Sequence, residues 1–216
     1  MKSKFGRHVL VFALLTAAFS TAFSALQFEY SYDVQKAGEQ ELRVKIESQL
    51  NKIVIAKGDK NSAFTIAYNN PSDEVPSASV RYKVRGNVGY LTIDISEEDE
   101  NDNNWKMKYN PHSYYKEKVF YITLNNSIPV TLDFHLGAGY GKIDLSGLLV
   151  KDLRLETGAA ETIVLCDEPN QQIMENFKVD AGLSKFRAYN VGNTNFKNLF
   201  FEGGVGSYFF DFNGTI

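Results

Sequence analysis

One short phrase is written four times between Leu132 and Phe212: LDFHLGAG, LRLETGAA, FKVDAGLS and LFFEGGVG. Each opens on an apolar residue, has His, Glu, Asp or Glu fourth, and places glycine sixth, at Gly137, Gly158, Gly182 and Gly204. The glycines lie 21, 24 and 22 residues apart. A repeat of this length, two short strands around a glycine corner, cannot bury its own apolar face and must stack on its neighbours. At period two, Leu132 and Phe134, Leu153 and Leu155, Phe177 and Val179, and Leu199 and Phe201 point to one side. Asp133, Arg154, Lys178 and Phe200 point to the other. Stacking then builds apolar ladders inside, and a sharp corner takes glycine for positive φ or for a close backbone approach. The expected fold is all-β, a β-solenoid-like stack of short strands. An antiparallel meander with glycine turns shares the alternation but does not require one phrase in one order.

The chain starts as a targeting segment. Lys2, Lys4 and Arg7 precede an apolar run from Val9 to Phe19, and Ala22 and Ser24 occupy the small-residue places before a cut. This order describes a secretory signal peptide cleaved after Ser24, with Ala22 as the other site and an uncleaved anchor as the other reading. The organisation expected is a signal peptide over 1–24, an N-terminal β region over 25–131, and the clear repeats over 132–216, continuous with the region before them. The protein is expected to be extracytoplasmic: periplasmic, cell-surface or secreted.

Without Lys2, Lys4 and Arg7 the 23 basic residues become 20 against 26 acidic, a net charge of −6. An acidic exported domain with no basic stripe is a poor nucleic-acid binder. Cys166 is the single cysteine, so no disulfide framework exists, and its place at a strand end reads as a small buried hydrophobe. Stability must come from buried surface, for which roughly 190 residues suffice.

Upstream, strands are expected at Phe28–Val34, Leu42–Glu47, Lys52–Ala56, Phe64–Tyr68, Ser79–Val84, Gly89–Ile95 and Val119–Leu124. Val44–Ile55, VKIESQLNKIVI, reads as a worn copy of LRLETGAAETIVL with Gln49 in the glycine place, and so as an atypical terminal repeat capping the array. Tyr82–Ile95 is either another rung or a hairpin turning at Gly86-Asn87. The polar run EEDENDNN at 97–104 lacks the glycine and glutamate places of an EF-hand loop and reads as a solvated loop. The aromatic segment from Trp105 to Tyr115 is a lid over the core or the lining of a groove.

The run IPVTLDFHLGAGYGKIDLSGLLVKDLRLETGAAETIVL, with QELRVKIESQLNKIVIAKG upstream, resembles the toast-rack family of bacterial exported domains, whose N-terminal part is found beside LiaF-like cell-envelope response proteins. The later DAGLSKF and GGVGSYFFDF corners extend the resemblance over most of the chain after the targeting segment. It implies a bacterial, all-β, solenoid-like extracytoplasmic protein of adhesin type. It brings no catalytic residues. Such chains often continue past a DFNG-like strand into another rung, whereas this sequence stops at Ile216.

For chemistry, past the targeting segment the chain offers His112, His135 and one cysteine, with no nucleophile-elbow, zinc or P-loop motif. The sharpest candidate is the fourth column of the repeat, His135, Glu156, Asp180 and Glu202. Stacked at about 4.8 Å, it would form a file of acceptors for a hard cation, or a row of polar side chains facing water beside Arg154 and Lys178. No catalytic residue, cofactor or metal is expected. The expected function is a noncatalytic binding or scaffold module of the cell envelope. The alternatives are an accessory protein in envelope stress sensing and a glycan-acting enzyme.

The place for a partner is the last repeat. Phe200 stands where earlier repeats carry Asp133, Arg154 and Lys178, and Tyr208, Phe209, Phe210 and Phe212 put aromatics on both faces of the next strand. A terminal rung exposes strand edges, and no polar cap follows in the sequence. Phe200, Tyr208, Phe209, Phe210 and Phe212 are therefore expected to contact a protein or glycan of the envelope, or a second copy. The alternatives are that the Trp105–Tyr115 segment folds over this end or that the sequence as given is incomplete.

The mass of the exported protein checks the first expectation. Loss of residues 1–24 is expected, and retention of Met1–Ser24 would favour an anchor.

Overall fold

The computed structural model describes residues 30–69, 78–95 and 119–215. These form twelve strands of one sheet: β1 (Tyr30–Gln35), β2 (Glu41–Lys57), β3 (Ser62–Asn69), β4 (Ala78–Arg85), β5 (Val88–Ile95), β6 (Val119–Leu124), β7 (Pro129–Asp144), β8 (Leu149–Leu165), β9 (Met174–Ala181), β10 (Ser184–Tyr189), β11 (Phe196–Gly203) and β12 (Gly206–Phe210). A single turn of 3-10 helix, Val191–Thr194, joins β10 to β11. The chain is all-β, as its alternation requires. In β8 that alternation runs from Asp152 to Gly158 and from Ala159 to Leu165, and slips at Lys151-Asp152, beside a register shift in β7, and at Gly158-Ala159 at the corner.

The strands stack as rungs, parallel and in register. The third place of the repeat runs Ile46, Phe134, Leu155, Val179 and Phe201 through β2, β7, β8, β9 and β11. Past the corner the inner ladder runs Ile55, Ile143, Val164, Ala188 and Phe210 through β2, β7, β8, β10 and β12. Phe134 on the first of these ladders, and Phe177 and Phe186 on the neighbouring inward rows, are fully buried. Each such side chain contributes about 1.5–3 kcal/mol relative to exposure.

Spatial order departs from chain order at one end. β2 lies beside β7 on one edge, while its other edge is shared by β5 along one arm and β6 along the other. The worn copy at Val44–Ile55 is thus interior, not the terminal repeat its degraded sequence suggested. Gln49 does occupy the glycine place, since Ser48 pairs with Leu136 and Leu50 with Ala138. Tyr82–Ile95 is both things left open above: a hairpin turning at Gly86-Asn87, with β5 as half of a rung. The cap is antiparallel: β4 closes β5, β3 closes β6, and β1 closes β3. Buried Glu39 fastens it, accepting the Tyr82 hydroxyl at 2.7 Å and the Ala37 amide at 2.8 Å. The 97–104 loop, the Trp105–Tyr115 segment and the 1–24 targeting segment lie outside the described residues.

Glycine recurs at the corner because backbones touch there. None of Gly137, Gly158, Gly182 and Gly204 has positive φ. A Cβ on Gly158 would collide with the Gly137 carbonyl oxygen of the rung below, and one on Gly137 would come within 2.8 Å of the Gln49 oxygen. On the far side, turns between rungs are held by buried asparagines. Asn170 donates to the Val150 carbonyl at 2.7 Å and Asn193 to that of Cys166 at 2.9 Å. Gly158→Ala is expected to cost about 1–3 kcal/mol, the usual range for overpacking against a site that cannot move. Gly182→Ala should cost less, because its Cβ would stand 3.2 Å from the Gly158 oxygen. Lys178→Ala should stay within about 0.5 kcal/mol in the same denaturant melts.

Candidate functional site

The corner carries a groove of about 660 Å³ along the stack. The four corner glycines form its floor, and His135, Glu156, Asp180 and Glu202 line one wall. The register confirms these four as one column, continued by Glu47 and Asp94. Each is two places from a member of the neighbouring outward column, so both side chains of a pair lie on one face. In three rungs the two are opposite in charge and touch, Lys45–Glu47 at 2.8 Å, Arg154–Glu156, and Lys178–Asp180 at 3.1 Å, and in a fourth His135 lies 2.7 Å from Asp133. The other nitrogen of His135 meets Glu156 at 2.7 Å. Among the described residues no cluster has the spacing to hold a metal ion. Glu47, Glu156 and Asp180 of the column are thus spent on their neighbours, which eases the repulsion between carboxylates at rung spacing.

The fifth rung breaks this pattern. Phe200 stands in the outward column opposite Lys178, and Glu202 has no ion pair among the described residues. Phe200 is 54% exposed, Phe209 48% and Phe212 57%. Tyr208 and Phe210 point inward instead, half-buried on the core. Phe210 packs tilted against Phe186 at 5.3 Å and edge-on against Phe201 at 5.1 Å, and Tyr208 meets Phe201 edge-on at 5.0 Å. The five residues singled out from the sequence thus come together at one end: Phe200 and Phe209 outward, Tyr208 and Phe210 inward, and Phe212 exposed past the end of β12 with its ring stacked on Phe210 at 6.2 Å. The sequence reading missed Phe201, 39% exposed although it heads an inner ladder, and the corner residues Leu183 and Val205, both exposed. Their signal was available: small residues fill the same corner places in the earlier repeats, Ala138 and Ala159.

Residues 23–187 match the model of Toast_rack_N, the N-terminal domain of toast_rack, DUF2154. The chain belongs to this family. The match ends inside β10, so the aromatic rung lies beyond it. Among solved structures, a putative cell adhesion protein from Clostridium sporogenes ATCC 15579 superimposes over 84% of this chain and 97% of its own at a TM-score of 0.61, with 16% identity. That likeness is one of fold. A putative adhesin from Parabacteroides distasonis ATCC 8503 covers 84% of this chain and 69% of its own at a TM-score of 0.30, with 13% identity. Among curated proteins nothing matches. No helix among the described residues is long and apolar enough to cross a membrane.

The one thiol of this Toast_rack_N chain is not part of the groove. Cys166 is fully buried at the end of β8 and donates to the Glu168 carbonyl at 3.4 Å. Burial first, then Asp144, Asp167 and Glu168 nearby, push its pKa up to about 12. A thiol held neutral and out of water is a poor nucleophile. Native protein at pH 8 is therefore expected to react with an aromatic disulfide reagent only as fast as it opens, and urea-unfolded protein at once. The raised value means that the folded thiol stays neutral while the unfolded one ionises from its ordinary value of 9.0. Stability is expected to fall as pH rises from about 9 towards 12, and less steeply in Cys166→Ala.

Proposed function

We propose that this chain is a noncatalytic binding or scaffold module of the bacterial cell envelope. It is exported by cleavage of residues 1–24 and folded as a β-solenoid whose last rung is its contact surface. The observation that carries the reading is the replacement of the ion-paired outward column by Phe200, with Phe209 and Phe212 exposed beside it. Apolar side chains gathered at an open strand edge gain both from leaving water and from completing backbone hydrogen bonds. The likeness in fold to the putative cell adhesion protein from Clostridium sporogenes agrees with an adhesive role. The groove supports binding rather than turnover, because Glu156 and Asp180 of its acidic wall are held by Arg154 and Lys178. Its flat charged face then serves as scaffold, presenting the aromatic end.

The proposal is tested by titrating purified protein against isolated cell-envelope material, with a Phe200→Lys, Phe209→Lys double variant beside it. The wild type is expected to co-sediment with the envelope and the variant to lose at least tenfold in affinity while melting as one transition. Equal binding by the two proteins, or binding by neither, would contradict the proposal.

A further inference from the structure

Among the described residues no strand pairs with the edges of β11 and β12 that face away from β9 and β10, and hydrogen bonds fix which way their backbone groups point. The Gly204 amide donates to the Ala181 carbonyl at 2.7 Å, so Glu202 and Phe200, at even steps before it, turn towards β9. The parity is the other one at the start of the strand, where the Met174 amide donates to Asn195 at 3.0 Å. Phe201 and Leu199 then turn their amides and carbonyls to the open edge. In the other arm the Asp211 amide donates to Ala188 and its carbonyl accepts from Val191, both at 2.8 Å. Phe209, two places before it, therefore faces β10, while Tyr208 and Phe210 face the open edge.

The two arms meet at the corner Gly204-Val205, with β11 running towards it and β12 away from it. A two-fold axis through this corner, along the bisector of the arms, lays β11 of one copy antiparallel on β12 of the other, and β12 on β11. It keeps the inside of each rung over the inside of its mate. No axis through the middle of β11 does this, because pairing β11 with itself carries β12 away from its counterpart.

The register then follows from the symmetry centre. Phe201 opposes Tyr208 of the second copy and Leu199 opposes its Phe210. All four belong to the set whose backbone groups face the open edge, so these are hydrogen-bonded pairs. Phe200 opposes Phe209, both outward, as a non-hydrogen-bonded pair with the closer approach of side chains. Glu202, left without a cation by Phe200, opposes the Ser207 hydroxyl. Apolar meets apolar at every inward place, and the parity of both arms is satisfied by one operation.

At the opposite end, one of the two edge strands, β4, carries Arg81, Lys83 and Arg85 along its length, the usual charged protection of an edge, while the other, β1, carries Asp33 as its one charge. β12, GSYFF, carries no charge at all. An isologous contact therefore closes at two copies, where a head-to-tail contact would set the aromatic rung against three arginine and lysine side chains.

Resting on the reading of the aromatic rung as a contact surface, we infer that its occupant is a second copy of this chain, joined as a closed two-fold dimer by antiparallel β11–β12 pairing. The test uses two single variants, Phe200→Cys and Phe209→Cys. Buried Cys166 is silent under native conditions. Non-hydrogen-bonded partners stand about 4.5 Å apart between Cα atoms, within the range a disulfide spans. Mixed under mild oxidation, the two variants are expected to yield a covalent dimer containing one chain of each. Either variant alone should give little, and sedimentation of the wild type should show twice the mass of one chain. Covalent dimer from Phe200→Cys alone as readily as from the mixture, or a wild type that sediments as a monomer at high concentration, would overturn the dimer. If the wild type is monomeric while Phe200→Lys, Phe209→Lys still abolishes envelope binding, the dimer fails and the binding module stands. If the dimer forms and the lysine variant is monomeric yet binds envelope as before, the dimer stands and the contact reading of the module fails.

Discussion

Everything in this protein depends on parallel rungs lying close enough for backbone to touch backbone at the corner. The Gly158 position admits no Cβ beneath the Gly137 carbonyl, and Gly137 in turn rests against Gln49. That contact sets the register at one point, and period-two alternation carries it along both arms. Leucine, valine, isoleucine and phenylalanine then align as ladders, and polar residues align outside. The same alignment would pile like charges on like charges, since His135, Glu156, Asp180 and Glu202 are brought into one file. The pairing of each with a neighbour two places away is the local answer. It is an ion pair in three rungs and a His135–Asp133 contact in a fourth, and it is abandoned in the fifth.

Stacks of this kind must solve two ends. At one, antiparallel β4, β3 and β1 cover the edges, Glu39 ties Tyr82 to the entry of β2, and basic residues guard the outer strand. At the other, the inner ladders finish in Leu199, Phe201, Tyr208 and Phe210, which stay only partly covered. The aromatic rung is thus both the end of the core and the start of a surface. Function on this account grows from the fold's own unfinished burial rather than from a grafted catalytic site.

Much of this was legible in the sequence because the repeat is a direct image of the register. The inner and outer sets of Leu132 to Phe201, the corner glycines and the aromatic break at Phe200 stand in the structure as the phrase orders them. The place of β2 was not legible. Its degraded copy looks terminal in the chain, but β5 and β6 return over it from later in sequence, and chain order says nothing of such a return. Asn170 and Asn193 were equally hidden, because a polar residue between strands reads as solvated until the carbonyls it serves are known. The reason for the corner glycines was narrowed only by structure, which shows close approach and not positive φ.

Amide hydrogen exchange on dilute, monomeric protein tests the stacking account most directly, since protection reports how much structure must open at each strand. Among the described residues, the amides of β7 and β8, flanked by rungs on both sides, are expected to exchange slowest. Those of β11 and β12 that face the open edge are expected to be the fastest in the stack. Protection of the β11 and β12 edge amides equal to that of β7 and β8, or rapid exchange throughout β7 and β8, would contradict it.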